Sequence, residues 1–346
     1  MFGLNLAETG RVPDVVIRAA IRGLLRRRLN EVKTGDCEAD EDANHAFREQ
    51  LRSSPIALVP ELANQQHYEV APEFFQRVLG WRMKYSSGLW SEGVRDIDAA
   101  EEAMLALVCS RAQLTNGMSV LDLGCGWGSL SLWIAEQYPR CRVLAVSNSK
   151  PQREFILKRC AERKIENVEV VTSDINHFDP ERRFDRVISV EMFEHIRNYD
   201  WLLARIARWL EPHGKLFVHH FSHREVAYPF ETEGEDDWMG RHFFSGGIMP
   251  SDDMLLHFQR DLVVDRKWRV NGNHYKHTAD AWLQLQDVQI DVLLPLLAEV
   301  YGEEEAPLWF ERWRLFFLAC SELFGYRGGN EWWVTHVRMS LREEGQ

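Results

Sequence analysis

The residues best suited to acid–base chemistry form one short cluster, Glu191, Glu194 and His195, directly after an apolar run. If a helix began here, the spacing i, i+3, i+4 would place all three side chains on one helix face. A carboxylate beside an imidazole can act as a general base with an orienting partner. The alternative is an acidic pair that only complements the dipole at a helix start. The place of the cluster, just beyond a predicted strand, favours the acid–base role.

A second group of titratable side chains, His219, His220 and His223, follows another apolar run. Histidines this close together raise the question of a metal site. In an extended segment, however, His219 and His223 share one face and His220 points to the other. The sequence offers no cysteine or carboxylate at a spacing typical of metal ligands, so no metal site is predicted.

A glycine-rich turn is the third feature with chemical meaning. The apolar run 120–123 reads as a buried strand, and Gly124, Gly126 and Gly128 follow it before a stretch of helical character. Glycines let the backbone approach a ligand, and a helix start offers unpaired N–H groups. The segment is either a nucleotide-type binding turn or an ordinary strand–helix turn. The pattern that follows it favours the binding turn.

The elements that must position these residues alternate along the centre of the chain. The predicted strands are 118–123, 141–147, 167–171, 184–190 and 214–220, followed later by 261–270 and 333–341. Helices are predicted between the first five strands at 129–138, 150–164 and 198–210. This alternation predicts a doubly wound parallel α/β sheet with its ligand beyond the carboxyl ends of the strands.

Three regions are predicted along the chain. Residues 1–60 form a helical extension with an acidic linker, 61–115 a helical segment over the ligand site, and 116–346 the main domain. Within the second region, polar side chains alternate with aromatics over 64–70, 72–75 and 84–90, which indicates either a segment folded over a ligand or an aromatic helical cap on a core. Two insertions, about 221–260 and 271–330, are expected to form a substrate cap, the second with helices 281–301 and 306–324.

Residues 13–33 predict an amphipathic helix whose polar side carries Arg18, Arg22, Arg26, Arg27 and Arg28. Three interpretations of this helix are open. It could dock on anionic lipid headgroups, pack on its own domain, or pack on a partner protomer to make a homodimer. Residues 34–55 are acidic and weakly apolar, which predicts a linker or mobile loop.

The composition argues against several classes of protein. A net charge of −12 over 346 residues does not suit nucleic-acid binding. No run of apolar residues is long enough to span a membrane, and the N-terminus lacks the pattern of a signal peptide. The six cysteines include no C-x-x-C pair, which indicates reduced thiols and a cytoplasmic location.

Taken together, these motifs resemble a known family. The glycine turn with Asp122 ahead of it resembles motif I of class I S-adenosylmethionine (SAM) methyltransferases. Over about residues 61–340 the chain resembles the cyclopropane-fatty-acid synthase and mycolic-acid methyltransferase superfamily, most of all its coclaurine N-methyltransferase branch. The motifs that carry this resemblance are 64–75, 84–87, 121–128, 189–199, 236–238, 246–251, 272–275, 324–326 and 331–332.

The resemblance implies a Rossmann-like seven-stranded sheet that ends in an antiparallel strand pair. It also implies SAM as the cofactor and S-adenosylhomocysteine as the product. No acidic residue follows the second strand, so Asn148 and Gln152 are the candidates for the ribose hydroxyls, and Asp174 for the adenine amine. The expected cofactor contacts are Tyr85, Ser86, Asp122, Gly124, Gly126, Asn148, Gln152, Asp174 and Ile175.

The same branch implies methyl transfer to the nitrogen of a small amine, cyclic and aromatic in character. Glu194 and His195 would deprotonate the bound ammonium and Glu191 would pair with its charge. Aromatic side chains in the cap suit a flat or cationic substrate; those predicted to bind it are Trp238, Phe244 and Trp332.

Two rival functions stay open at this point. The first is methyl or methylene transfer to unsaturated acyl chains of a phospholipid, in which the family uses a bound bicarbonate. Glu194, His219 and Tyr275 match the residues that hold it, but Ser87 stands where the family has a cysteine. The second rival is a catalytically idle SAM-binding module, against which the intact Glu191 cluster argues.

Overall fold

A seven-stranded sheet organises the protein in the computed structural model, which describes residues 6–58, 71–234 and 237–342. Its strands are β1 Ser119–Leu123, β2 Arg142–Ser147, β3 Val168–Thr172, β4 Phe184–Val190, β5 Leu210–His223, β8 Leu262–Val270 and β9 Trp332–Leu341. The order across the sheet is β3-β2-β1-β4-β5-β9-β8, and β9 runs in the direction opposite to the other six strands. A separate small hairpin joins β6 Tyr228–Pro229 to β7 Ile248–Met249. The predicted seven-stranded α/β fold with its antiparallel closing strands is confirmed.

The parallel register brings several chain turns to one edge of the sheet. Leu123 at the end of β1 pairs with Val146 of β2, and Val190 at the end of β4 pairs with His219 of β5. The segments that follow these strands therefore lie side by side, as the sequence requires for a shared site.

Helices cover both faces of the sheet. They are α4 Ile97–Arg111, α5 Ser129–Gln137, α6 Lys150–Arg163 and α7 Tyr199–Trp209. Side chains along β1 alternate between two apolar cores, because successive residues of a strand face opposite sides. Val120 joins the core under α4, α5 and α6, whereas Leu121 joins the core under α7.

The cap lies at the carboxyl edge and consists mainly of α9 Gly272–Asp287, α10 Ile290–Tyr301 and α11 Ala306–Gly325, with the short α3 Pro72–Val78 and α8 Trp238–His242 beside them. The predicted single helix over 281–301 is wrong, because the chain breaks between α9 and α10. At this break the Gln289 side-chain amide donates to the carbonyl oxygens of Leu285 and Arg77, which terminates α9.

The N-terminal helix α1 Asp14–Val32 packs on α11 of its own chain. Arg18 pairs with Asp280 at 2.8 Å and Glu322 at 3.0 Å, and Arg22 pairs with Glu322 at 2.7 Å. Arg28 pairs with Asp237 at 3.2 Å. Of the interpretations open for this helix, packing on its own domain is therefore the one observed, and Arg18, Arg22 and Arg28 contribute to it.

The predicted linker over 34–55 is wrong, because most of it forms helix α2 Cys37–Arg52. Asp36 caps the helix by accepting the N–H of Glu38 at 2.9 Å. Phe47 and Leu51 then face the core under α7. The high acidic content hid an amphipathic pattern with few but sufficient apolar residues. Of the predicted ligand-covering segment, the part 64–70 lies outside the described residues, as does Asp236.

Candidate active site

A cleft opens at the carboxyl ends of β1 to β4, where the sequence placed the cofactor. It is lined by Ala57, Leu123, Gly124, Gly126, Val146, Ser147, Asn148, Gln152, Ser173, Ile175, Glu191, Met192, His195, Ile196, Ser245 and Gly246. Five of the nine predicted cofactor residues lie on this wall: Gly124, Gly126, Asn148, Gln152 and Ile175.

The glycine turn after β1 has a backbone that other residues do not readily adopt. Gly124 has φ +84°, and a Cβ there would lie 2.7 Å from Cγ of Met192. Gly126 has φ +51° and nothing within 4 Å of a Cβ position, so its face opens to the cleft. The backbone N–H groups of Gly124 and Cys125 both bond to the Val146 carbonyl, which fixes the turn against β2.

Neutral polar groups line the nucleoside side of the cleft. The Gln152 side-chain oxygen accepts from the Ser147 hydroxyl. The Gln152 side-chain nitrogen is buried without a partner among the described residues, and such a donor calls for a ligand. An unused amide donor beside an open glycine backbone fits the hydroxyl and carboxylate groups of SAM.

Four predicted cofactor residues do not line the cleft. Asp122 is buried under the turn and accepts from the Ser131 hydroxyl at 2.6 Å; burial raises its pKa to about 6. Asp174 is turned toward Asn176, whose N–H it accepts at 2.8 Å. Ser86 is buried against the Lys84 ammonium, and Tyr85 lines a different cavity. A direct contact of these four residues with the cofactor therefore stays a prediction.

The second cavity is larger, about 730 Å³, and predominantly apolar. Helix α1, residues 228–231 and 237–244, α9 and α11 enclose it. Its aromatic lining consists of Tyr85, Phe221, Tyr228, Phe230, Trp238, Phe244, Tyr275, Trp282, Phe316 and Phe324. It meets the cofactor cleft at Glu191 and His195, which line both spaces.

Glu191 receives hydrogen bonds on both carboxylate oxygens. Oε1 accepts from the Ser87 N–H at 3.0 Å and lies 3.1 Å from Nε2 of His219, while Oε2 accepts from the Tyr275 hydroxyl at 2.7 Å. Burial raises the pKa of Glu191, and the charge of Lys84 opposes this rise. Burial in turn lowers the pKa of Lys84 to about 8.

The expected shared helix face of Glu191, Glu194 and His195 is not formed. Glu191 has φ +49°, outside the helical range, and only Phe193–His195 form a single 3₁₀ turn. Glu194 consequently points into the core, where its Oε1 accepts the Phe221 N–H at 2.7 Å and burial raises its pKa well above the usual range. His195 faces the cavities with its ring 4.6 Å from that of Phe244. Burial lowers the pKa of His195 to about 4, so its imidazole is neutral at physiological pH.

The residues that would hold a bicarbonate do not fit one in this protein. His219 is fully buried, and its two ring nitrogens contact Glu191 and His336. The Tyr275 hydroxyl is also bound to Glu191. The carboxylate of Glu191 thus already uses the donors that a free anion would need.

The other histidines are held by hydrogen bonds within the protein, and only some of the predicted substrate aromatics lie on the cavity wall. His220 donates to the Phe221 carbonyl, and His223 lies 3.2 Å from Glu331. Among residues 6–58, 71–234 and 237–342, no cluster of side chains suits a metal ion.

Trp238 and Phe244 line the large cavity, but the expectation for Trp332 is corrected: it is fully buried in the core, where its indole N–H donates to the Tyr228 hydroxyl.

Sequence reasoning missed the contribution of α1 to the cavity wall. Val16, Ile21 and Leu25 of this helix line the space. The apolar spacing of the helix was visible, but nothing local indicates which distant surface it covers. The buried Lys84 and His336 were missed as well, and no spacing signal marks them.

Comparison with known proteins agrees with this geometry. The model of the mycolic acid cyclopropane synthetase family matches residues 60–330. The chain is 38% identical to (S)-coclaurine N-methyltransferase of Thalictrum flavum subsp. glaucum, covering 96% of this chain and 94% of that protein. It is 36% identical to the enzyme of the same name from Papaver somniferum, covering 96% of each.

A solved structure extends the agreement to the whole fold. The crystal structure of coclaurine N-methyltransferase bound to N-methylheliamine and S-adenosylhomocysteine superposes with a TM-score of 0.94 at 38% identity, over 97% of this chain and 98% of that one. The predicted superfamily, the amine branch and the cofactor are confirmed. The chain therefore belongs to the mycolic acid cyclopropane synthetase family, as a SAM-dependent methyltransferase.

Proposed function

We propose that the enzyme methylates a cyclic amine with an aromatic skeleton. This is the alkaloid type of amine that the names of its relatives indicate. The observation that carries this proposal is the meeting of the cofactor cleft and the aromatic cavity at Glu191 and His195. A charged amine lies well against a carboxylate and aromatic faces, and the cavity of about 730 Å³ suits a multi-ring body.

The residues divide the work between charge and proton transfer. SAM, when bound, supplies a methyl group activated by the sulfonium. The amine must present a neutral nitrogen, and the neutral imidazole of His195 is placed to accept its proton. Glu191 pairs with the ammonium before transfer and with the product cation after it. Glu194, hydrogen-bonded to the Phe221 backbone, holds the turn that carries His195. The main contribution of the protein is then the alignment of nitrogen and methyl group.

The assignment is tested with methyl-labelled SAM and three substrate pools. These are cyclic amines bearing aromatic rings, linear aliphatic amines, and vesicles of unsaturated phospholipid. We expect label in the cyclic aromatic pool. Label in the lipid pool, or in none, would overturn the proposal.

Two variants make the test specific for the site. His195→Ala should lower kcat about 100-fold or more, since a positioned base contributes 10²–10⁴, with SAM affinity little changed. His257→Ala is the matched control, because His257 pairs with Asp253 outside both cavities. Equal activity in the two variants would remove His195 from its role.

The oligomeric state, the contact with lipid and the cellular location of the enzyme are also matters of proposal. Val15 of α1 is 70% exposed and does not line the large cavity, which supports a homodimer contact on this helix. Lipid docking has less support, since Arg18, Arg22 and Arg28 pair within the chain. Among the described residues, no helix is long and apolar enough to cross a membrane. Unpaired cysteines support a cytoplasmic enzyme.

A further inference from the structure

Lys84 is a lysine whose charged group is buried beside the active site. Its residue is only 2% exposed. The ammonium donates to the Ser87 carbonyl at 2.9 Å and to the Ser86 hydroxyl. Among the residues that the structure describes, no carboxylate forms a direct ion pair with it. A buried charge lowers the stability of the folded protein unless another interaction offsets its burial, so the presence of Lys84 needs an explanation.

A second buried group, Glu101 of α4, holds the segment that carries Lys84. Its Oε1 accepts the N–H groups of Gly80 at 3.0 Å and Lys84 at 3.2 Å, and its Oε2 accepts the Arg82 N–H at 3.0 Å. A Cβ at position 80 would lie 2.6 Å from the Glu101 carboxyl carbon, so this close approach requires the glycine. Burial raises the pKa of Glu101 to about 8, so the group is mostly uncharged at neutral pH. It therefore fixes the position of Lys84 mainly through hydrogen bonds.

One residue, Ser87, connects the ammonium of Lys84 to the carboxylate of Glu191. The Ser87 carbonyl accepts from Lys84, and the Ser87 N–H donates to Oε1 of Glu191 at 3.0 Å. The next N–H, that of Gly88, donates to the Thr278 hydroxyl of α9 at 3.0 Å, which attaches the segment to the cap. Two opposite charges bound to the same residue are close enough for each to favour the ionised form of the other.

The other titratable groups around Glu191 carry little charge at neutral pH. Burial lowers the pKa of the surrounding histidines and raises the pKa of the surrounding acid, phenol and thiol. These groups are Glu194 and His195 of the same turn, His219 and His220 of β5, Tyr275 of α9 and Cys320 of α11, with His336 and Arg111 one step further, beyond His219. Burial raises the pKa of Glu191 itself, and the charge of Lys84 is the largest influence against that rise. Lys84, with a pKa of about 8, keeps this charge at neutral pH.

We propose that Lys84 is a positioning residue of the active site, whose ammonium keeps the Glu191 carboxylate ionised for the substrate. Lys84 lines neither cavity, so it acts through Glu191 and not on the substrate. Without this charge, burial favours the protonated form of Glu191, and a carboxylic acid does not attract an ammonium. The inference deepens the proposed function and rests on it, because Glu191 pairs there with the substrate ammonium.

Infrared difference spectra measure the ionisation of Glu191 without any substrate. The spectrum of each enzyme minus that of its Glu191→Gln counterpart isolates the carboxyl group at position 191, whose ionised and protonated forms absorb at different frequencies. In Lys84→Met the pH midpoint of this group should rise by about one pH unit or more, because a nearby opposite charge lowers a carboxyl pKa by about one to three pH units.

Two further variants make the titration specific for the charge of Lys84. Lys84→Gln removes the charge but offers a neutral donor for the Ser87 carbonyl, and we expect it to shift the midpoint as Lys84→Met does. It also supplies the comparison if Lys84→Met does not fold. Lys158→Met, at an exposed position of α6, is the matched control and should titrate like the wild type.

Turnover then connects this charge to the reaction. At the wild-type midpoint half of Glu191 is ionised, and a midpoint one pH unit higher leaves about a tenth ionised in Lys84→Met. The KM for the amine should therefore rise about fivefold or more at this pH, with the KM for SAM little changed. At high pH, where Glu191 is ionised in both enzymes, the difference should disappear. A purely structural role would raise the KM for the amine equally at every pH.

The outcomes separate the role of Lys84 from the proposed function. A midpoint that is unchanged in Lys84→Met, or equally shifted in Lys158→Met, overturns the inference. A wild-type midpoint in Lys84→Gln assigns the effect to the hydrogen bond and overturns it too. A shifted midpoint with a KM for the amine that does not depend on it overturns the role of Lys84 in the reaction. If the wild-type enzyme methylates no amine while the midpoint still shifts, the proposed function fails and the effect of Lys84 on Glu191 stands.

Discussion

The contact between α1 and the cap can be weakened by one substitution, Arg18→Met. Arg18 donates to Ser321 at 2.9 Å, Glu322 at 3.0 Å and Asp280 at 2.8 Å. Hydrogen bonds to charged groups contribute about 1.5–3 kcal/mol when buried, whereas exposed ion pairs contribute about 0–1 kcal/mol. The Arg18 side chain is 24% exposed, so its bonds lie between these limits.

The partners of Arg18 limit the loss further. Asp280 keeps Lys276, and Glu322 keeps Arg22. Each carboxylate therefore keeps a positively charged partner, and the methionine side chain retains most of the aliphatic packing of the arginine. We therefore expect the docking of α1 to weaken by about 1–2 kcal/mol, a five- to thirtyfold larger population of the undocked helix.

Thermolysin cleavage within α1 measures that population directly, because cleavage of an opened segment follows its equilibrium population when closing is fast. Arg18→Met should be cut about five to thirty times faster than wild type. Arg26→Met, an exposed position on the same helix, is the matched control and should match wild type. High salt should narrow the difference between the two variants. Equal cleavage of Arg18→Met and Arg26→Met would refute the assignment of these ion pairs as the attachment of α1.

Three other perturbations test separate parts of the site. Gly124→Ala should abolish measurable SAM binding in calorimetry, because its Cβ would meet Met192 at 2.7 Å; Gly93→Ala, with a similar φ of +87° and nothing within 4 Å, should bind normally. Tyr275→Phe should raise KM for the amine more than about tenfold, since Glu191 loses a 2.7 Å hydrogen bond; an unchanged KM would contradict the role of this bond in holding Glu191. The pKa values of His195, His220 and His223 are lowered by burial to about 4, so the unfolded state binds more protons between pH 6.5 and 4. As the pH is lowered through this window, the free energy of unfolding should fall by up to about 1.4 kcal/mol per pH unit for each histidine. His220→Gln should reduce this pH dependence, which urea titrations at several pH values measure. An unchanged pH dependence would argue against a buried neutral His220.

The central sheet was predictable because its signals are local. Each strand is an apolar run that ends at a residue with polar chemistry, and the register of a parallel sheet follows from those runs. Gly124, Asn148 and Glu191 could be placed at one edge for this reason alone. Helix α2 was missed because acidic composition outweighed a sparse apolar stripe, in which Phe47 and Leu51 suffice once a core is present.

The orientation of side chains around the reaction centre was not predictable. Spacing alone suggested that Glu194 and His195 work together, whereas the positive φ of Glu191 and a single 3₁₀ turn send Glu194 into the core. His336 lies far from the catalytic cluster in sequence, and the pairing of β5 with β9 brings it beside His219. Trp332 looked like a substrate aromatic because residue type does not reveal which face of a strand meets a cavity.

The charge at position 191 gives a physical reason for preferring amine substrates over phospholipids. A carboxylate held by three donors, with both oxygens engaged, cannot turn away from the cavity when a substrate enters. It attracts an ammonium and repels the phosphate of a lipid headgroup, and the aromatic walls add further preference for a cation. Because β5, α9 and the segment before α4 fix these donors, the fold holds the Glu191 carboxylate in place at the cavity. A change of substrate class would therefore begin with the removal of Glu191, while the three donors around it could stay unchanged.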